Sequence, residues 1–182
     1  AGYQFTAIKQ EADVIIVNTC AFIEDATREA VAVIRQLAGQ KQHGCCKYLV
    51  VCGCLVQRYR EKLIEQLPGV DLFLGTGEFQ HIARHLTRLS SKNTPARICC
   101  GRPTFLMHDR TPRILATPPA SAYIKIAEGC SHRCTYCTIP SIRGPYQSRS
   151  AQSILREAKK LAAQGIREIN LIAQDTTRYA GL

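Results

Sequence analysis

Short apolar runs alternate with helical patterns along the first half of the chain. The run from Asp13 to Asn18 is β-branched and apolar on both faces, as in a buried parallel strand. Apolar residues at helical spacing follow it between Ala26 and Ala38, and further strand patterns occur at 48–52 and 71–75. Because strands separated by helices pair in parallel, the sequence predicts an α/β domain over 1–90 with an open parallel sheet of the Rossmann-like or flavodoxin-like kind.

A stretch rich in prolines and polar residues interrupts this alternation. We predict that residues 91–121 form an irregular linker between two domains. A strand at 122–128, a helix ended by Gly165 and a strand at 167–173 then begin a second α/β unit. One strand, helix and strand cannot bury an apolar sheet unaided, so residues 122–182 are predicted to open a larger TIM-like barrel.

The chain has ten cysteines, and its compartment decides how they are interpreted. Neither a charged leader with an apolar core nor an apolar run of membrane length is visible, so we expect a cytoplasmic protein without a membrane partner. Clustered cysteines in a reducing compartment usually bind metal or carry out redox chemistry. The net charge of +10 favours polyanions such as RNA or ribosomal particles, although a basic surface can equally serve solubility.

Three cysteines follow a predicted strand at short spacing: Cys130, Cys134 and Cys137. A four-iron cluster usually has four thiolate ligands, so three thiolates would leave one iron open for a substrate. We therefore predict that this triplet binds a 4Fe-4S cluster. The alternative is a structural zinc site with His132 or a distant cysteine as fourth ligand, although zinc sites usually use two separated pairs of ligands.

Two further cysteines follow strands of the first domain. Cys20 comes after the first strand and Cys54 after the second, so both should emerge at the same edge of a parallel sheet. Two thiols would hold a cluster poorly, which suggests a third ligand before Ala1, but two inert buried cysteines fit the pattern equally well. No role is assigned to the remaining cysteines, which are Cys45, Cys46, Cys52, Cys99 and Cys100.

Four segments of the chain together resemble the methylthiotransferases, a family within the radical S-adenosylmethionine (SAM) superfamily. They are Val17–Cys20, Cys52–Arg58, Ile126–Cys137 and Ile139–Arg149. The resemblance implies an N-terminal domain with an auxiliary 4Fe-4S cluster, a central radical SAM barrel and a small C-terminal RNA-binding-like β domain. By this comparison we expect the chain to be truncated at both ends.

The resemblance also implies the ligands and the reaction. Cys20 and Cys54 would serve the auxiliary cluster, and the Cys130 triplet would hold the cluster that cleaves SAM. One SAM would donate a methyl group to sulfur, and a second would supply the radical that removes a substrate hydrogen; an electron donor is needed as a partner. Segments 18–25 and 142–146 are similar to the RimO branch, which modifies an aspartate of ribosomal protein S twelve in the small subunit. The MiaB branch, which acts on tRNA adenosine, is the alternative, and contact with rRNA or tRNA is possible in either.

Several residues near the triplet match positions where contacts to SAM are expected. Tyr136 corresponds to the aromatic residue that lies against the adenine, and Glu128 and Gln174–Asp175 are polar groups at strand ends. Ordinary capping of strand ends would explain the polar groups equally well. Arg143 and Arg149 could meet the substrate or the SAM carboxylate, or belong to a solvated basic loop.

Overall fold

The computed structural model describes residues 2–91, 97–115 and 120–180. The chain forms two compact units, Ala1–Pro103 and Thr104–Leu182. Both are built from parallel strands and helices, so the predicted α/β class is confirmed for each. Among the described residues, no helix combines the length and the apolar character needed to cross a membrane.

A four-stranded parallel sheet forms the centre of the first unit. Its strands are β1 (Val14–Thr19), β2 (Tyr48–Gly53), β3 (Leu72–Leu74) and β4 (Ile98–Cys99), and they lie side by side in that order. The helices of this unit are α1 (Glu24–Ala38), α2 (Gln40–His43), α3 (Cys54–Tyr59), α4 (Lys62–Gln66) and α5 (Ile82–Ser90), with 3-10 turns at Lys9–Glu11 and Phe79–His81. The apolar strand runs are buried as their sequence predicts, and one core cluster contains Val50, Cys52, Leu72, Leu74 and Leu86.

A strand–helix–strand arrangement dominates the second unit. β5 (Ser121–Lys125) pairs in parallel with β8 (Glu168–Ile172), and α7 (Ala151–Ala163) lies between them in sequence. The side chain of Ser150 caps α7 by accepting a hydrogen bond from Ser153 N at 3.3 Å. The core of this unit, to which α7 contributes Leu161, also contains Ala122, Ile124, Ile126 and Ile166.

The strand predicted at 122–128 is divided in two. After β5, residues Ala127–Glu128 form β6, which pairs antiparallel with β7 (Gln147–Ser148). The connection between β6 and β7 carries the three cysteines and the short helix α6 (Ile139–Arg143). This small ribbon fixes both ends of the cysteine-bearing segment.

Part of the predicted linker, 91–121, has defined structure. Ile98–Cys99 is the strand β4 of the first unit. In the second unit, Arg113 Nη1 donates to Glu157 Oε1 on α7 at 2.7 Å, and Asp109 accepts from Arg156 Nε at 2.9 Å. Residues 92–96 and 116–119 of the same stretch lie outside the described ranges. The domain division itself stays a prediction.

Candidate metal centre

The three predicted ligands of the radical cluster lie on one segment between β6 and α6, residues 129–138, here named the cysteine loop. Cys130 is buried, Cys134 is exposed and Cys137 is half-buried. Cys130 N donates to Gly144 O at 3.1 Å, and Cys137 N donates to Cys134 O at 3.1 Å. The loop is therefore anchored at its start and turned back on itself between the second and third cysteines.

The donor atoms of the cysteine loop suit an iron-sulfur cluster. All three are free thiols, and Cys137 Sγ accepts a hydrogen bond from Ile139 N at 3.5 Å. Hydrogen bonds from backbone N–H groups to sulfur are among the features that set cluster potentials. The residues present therefore fit the group, and their joint ligation of one cluster stays a prediction.

Gly129 allows the close approach of the cysteine loop to the segment before β7. Its φ of +78° lies in the left-handed region, and a Cβ there would come within 2.3 Å of Pro145 O and 2.6 Å of Gly144 O. A side chain at this position would therefore force the two segments apart. This close approach explains why a glycine precedes the first cysteine.

Two side chains that follow β8 hold the first half of the cysteine loop. Gln174 Oε1 accepts from Gly129 N at 3.0 Å, and Asp175 Oδ2 lies 2.7 Å from His132 Nε2. Asp175 Oδ1 in turn accepts from Thr177 Oγ1 at 2.7 Å. Hydrogen bonds from Thr177 and His132 lower the pKa of Asp175 below its ordinary value, so this carboxylate is ionised at neutral pH.

The other residues predicted to contact SAM differ in exposure. Tyr136 is 87% exposed on the cysteine loop. The Glu128 side chain is only 12% exposed, and its Oε2 accepts from Lys125 Nζ while Arg143 Nη1 lies 3.7 Å from its Oε1. Glu128 is thus a largely buried carboxylate between two cations. Contact with SAM stays a prediction for Glu128, Tyr136 and Gln174.

Arg149 is buried, which differs from the solvated basic loop expected as one alternative for it, and its contact with the substrate or the SAM carboxylate stays a prediction. Its guanidinium donates to Glu157 Oε2 at 2.7 Å, to Lys125 O at 2.8 Å and to Ser153 Oγ at 2.9 Å. Only 2% of the residue is exposed. Arg149 therefore joins α7 to the end of β5 as a structural ion pair rather than lying in a solvated loop.

The first unit places its two predicted ligands at the ends of neighbouring strands. Thr19 of β1 is paired with Gly53 of β2, and Cys20 and Cys54 directly follow these two residues. Cys20 is exposed, whereas Cys54 is buried at the first position of α3. The shared sheet edge agrees with the sequence prediction, and ligation by the two thiols stays a prediction.

Side chains not selected from the sequence organise this edge. Arg58 Nη1 donates to Ala21 O at 2.6 Å, which ties the segment after Cys20 to α3. Gln57, 3% exposed, accepts from Thr76 N at 3.1 Å and donates to Gly101 O at 3.0 Å. Gln57 thereby joins the ends of β3 and β4. A buried glutamine in an otherwise apolar helix start is the signal that could have revealed it.

Comparison with known proteins finds matches to both units of the chain. Two family models match, Uncharacterized protein family UPF0004 over residues 1–75 and Radical SAM superfamily over 124–182. Curated proteins named ribosomal protein uS12 methylthiotransferase RimO are 50% identical in Syntrophus aciditrophicus, 49% in Geobacter sulfurreducens and 47% in Pelotomaculum thermopropionicum, over 97–98% of this chain. Over nearly its whole length the chain is similar to radical SAM methylthiotransferases. It spans 39–40% of the length of these relatives.

Solved structures support the fold of this chain. The radical SAM methyltransferase TsrM from Kitasatospora setae, with cobalamin and a [4Fe-4S] cluster bound, gives a TM-score of 0.58 at 18% identity over 91% of this chain and 38% of that chain. The same protein with tryptophan and a SAM analogue gives 0.59 at 16% identity over 90% and 37%. The predicted fold class, a parallel-sheet domain followed by the start of a radical SAM domain, is confirmed.

Proposed function

We propose that this protein is a radical SAM methylthiotransferase that adds a methylthio group to an aspartate of ribosomal protein uS12, using one SAM as methyl donor and a second as radical source. The likeness to RimO proteins carries this proposal, since it extends through both units at 47–50% identity. The chain spans 39–40% of those relatives, so activity and substrate belong to the proposal. An enzyme that modifies a ribosomal protein and receives electrons from a cellular donor would act in the cytoplasm.

Within this proposal Cys130, Cys134 and Cys137 hold the SAM-cleaving cluster. When bound, a 4Fe-4S cluster with one open iron chelates SAM and supplies the electron that breaks its sulfonium bond. The chain presents the thiols on one loop whose first residue is fixed by the hydrogen bond from Gly129 N to Gln174. Cys20 and Cys54 would supply ligands to the auxiliary cluster at the edge of the first sheet.

Three residues would receive SAM beside the cysteine loop. The exposed ring of Tyr136 would cover the adenine. Glu128 Oε1 is buried and accepts no hydrogen bond within the described part of the chain, so it can accept from the SAM ammonium group. Gln174 would reach SAM through its amide nitrogen, because its Oε1 already accepts from Gly129 N.

A deletion of the gene in its host tests the reaction and its substrate together. We expect uS12 from the deletion strain to lose the mass of one methylthio group, and the complete gene to restore it. A gene that encodes Cys134→Ala should not restore the modification, because one cluster ligand is lost. Unchanged uS12 together with loss of a methylthio group from tRNA adenosine would contradict the proposal and favour the MiaB-like alternative.

One observation favours a different class of function for the cysteine loop. Ligand atoms of Cys130, His132 and Asp175 lie within 4.8 Å of one another, which suits a single metal ion. A zinc module without catalysis would use such a site. Such a zinc site would leave Cys134 and Cys137 without a role. We therefore treat zinc binding as an alternative to cluster binding on the same loop.

A further inference from the structure

We propose that Cys130, His132 and Asp175 form a site for a single Zn²⁺ ion that competes with cluster assembly. Their sulfur, nitrogen and oxygen atoms lie within 4.8 Å of one another, and His132 Nε2 is 2.7 Å from Asp175 Oδ2. This inference rests on the proposed function in one respect, namely that Cys130 is also a cluster ligand. Because one thiolate cannot serve both groups, zinc and cluster exclude each other.

The donor set has the chemistry of a zinc site. Zn²⁺ binds Cys sulfur at about 2.3 Å and His nitrogen or carboxylate oxygen at about 2.0–2.2 Å, in tetrahedral geometry. Those bond lengths place the ligand atoms roughly 3–4 Å apart, so the described side chains need only small movements. Water would take the fourth position. Among the described residues, Cys134 and Cys137 do not belong to this group, so the zinc site would share only Cys130 with the proposed cluster.

Surrounding contacts already orient the proposed ligands. The Asp175 side chain is 9% exposed, and its Oδ1 accepts from Thr177 Oγ1 at 2.7 Å and from Arg178 N at 3.3 Å. This leaves Oδ2 directed at His132. Hydrogen bonds that fix a ligating carboxylate from behind are typical of metal sites.

The three ligands differ in their access to solvent. Cys130 is buried, and Cys130 N donates to Gly144 O at 3.1 Å, so its backbone is held by the segment before β7. His132 is 59% exposed, so an ion can reach the site through this side of the loop. The site thus combines two fixed ligands with one that can close over the ion.

Zinc should be favoured over ferrous iron at this site. Sites of mixed nitrogen, oxygen and sulfur ligands bind Zn²⁺ more tightly than Fe²⁺. Zinc bound before iron and sulfide are supplied should therefore slow cluster formation on the cysteine loop. Removal of His132 or Asp175 should abolish this inhibition, since neither residue is a proposed cluster ligand.

Metal titration of the anaerobic, metal-free chain tests the site. Co²⁺ serves as the coloured probe and Zn²⁺ as its competitor, because the sulfur-to-cobalt absorption band measures how many thiolates bind. We expect one metal ion per chain and a band for one thiolate. His132→Ala and Asp175→Asn should weaken zinc binding by more than the 10- to 100-fold that loss of an outer-shell partner costs, and Thr177→Ala by about that amount.

Cysteine variants provide the matched control. Cys134→Ala and Cys137→Ala should keep zinc affinity but lose, after reconstitution, the part of the iron-sulfur absorption that comes from the cluster on the cysteine loop. His132→Ala and Asp175→Asn should show the reverse pattern, and Cys130→Ala should lose both. Far-UV circular dichroism of every variant checks that the fold is kept.

Three results would overturn the zinc site. They are a band for three thiolates, affinity lost in Cys134→Ala but kept in His132→Ala, or no stoichiometric metal binding at all. Failure of the proposed function would look different, because iron and sulfide would then give no cluster in any protein, whatever the zinc titration shows.

Discussion

At the scale of single residues, one glycine and a few hydrogen-bonding side chains position the cysteine loop. Gly129 allows the close backbone approach, and Gln174 and Asp175 hold the loop from the segment after β8. The cysteine spacing predicts the three thiols, since it is a local pattern. It does not reveal the hydrogen bond between His132 and Asp175, which joins residues 43 positions apart.

The Gly129→Ala variant tests the steric role of that glycine. Its φ of +78° and the 2.3 Å approach to Pro145 O should make alanine destabilising by about 1–3 kcal/mol. Urea unfolding followed by circular dichroism measures the change. Gly101→Ala is the matched control, because a Cβ there meets no atom of the described residues within 4 Å, and we expect its effect to stay within about 0.5 kcal/mol. Equal effects of the two variants would show that close approach is unimportant.

Long periodic elements were predictable, whereas two-residue strands were not. The apolar runs that became β1, β2 and β3 are continuous and alternate with helical segments, and the amphipathic pattern of α7 carries enough residues to show its helical period. Two residues are too few to show a hydrophobic pattern, and this is the length of β4, β6 and β7. Only pairing with a neighbouring strand identifies these three strands. The predicted strand at 122–128 missed the break after Lys125 for this reason.

The contacts of Asp109, in the predicted linker, with α7 should make the stability of the fold depend on pH. Asp109 accepts from Arg156 Nε at 2.9 Å and from Ser153 Oγ at 3.1 Å, and the hydrogen bond from Arg156 is the main cause that holds its pKa well below the ordinary value of 3.8. A lowered native pKa stabilises the fold above the unfolded value and loses that contribution as pH falls. Asp109→Asn should therefore lower the urea midpoint at pH 7, and this deficit should start to shrink below about pH 4.

Asp25→Asn is the control for that pH effect, because Asp25 is 77% exposed and its pair with Arg28 lies within one helix turn. We expect its urea midpoint to stay close to that of the unchanged chain at both pH values. A deficit of Asp109→Asn that grew toward acid pH would contradict the assigned role.

At the scale of the whole molecule, two units carry two separate sets of thiols. Cys20 and Cys54 follow adjacent strands in the first unit, and the cysteine loop belongs to the second. The resemblance to methylthiotransferases was accessible from the sequence because its motifs are local. The buried contacts of Gln57 with Gly101 and of Arg149 with Lys125 were not, since they join residues 44 and 24 positions apart in the chain. The net charge of +10 agrees with a ribosomal substrate, but does not select it.

The central claim is that three thiols leave one iron of a cluster open to SAM. Electron paramagnetic resonance of the anaerobically reconstituted, dithionite-reduced chain measures this directly. We predict a reduced-cluster signal that changes on addition of SAM. This SAM-responsive signal should be kept in Cys45→Ala, an exposed cysteine outside the motif, and lost in Cys134→Ala. No signal that responds to SAM, or a SAM-responsive signal that survives in Cys134→Ala, would contradict the account.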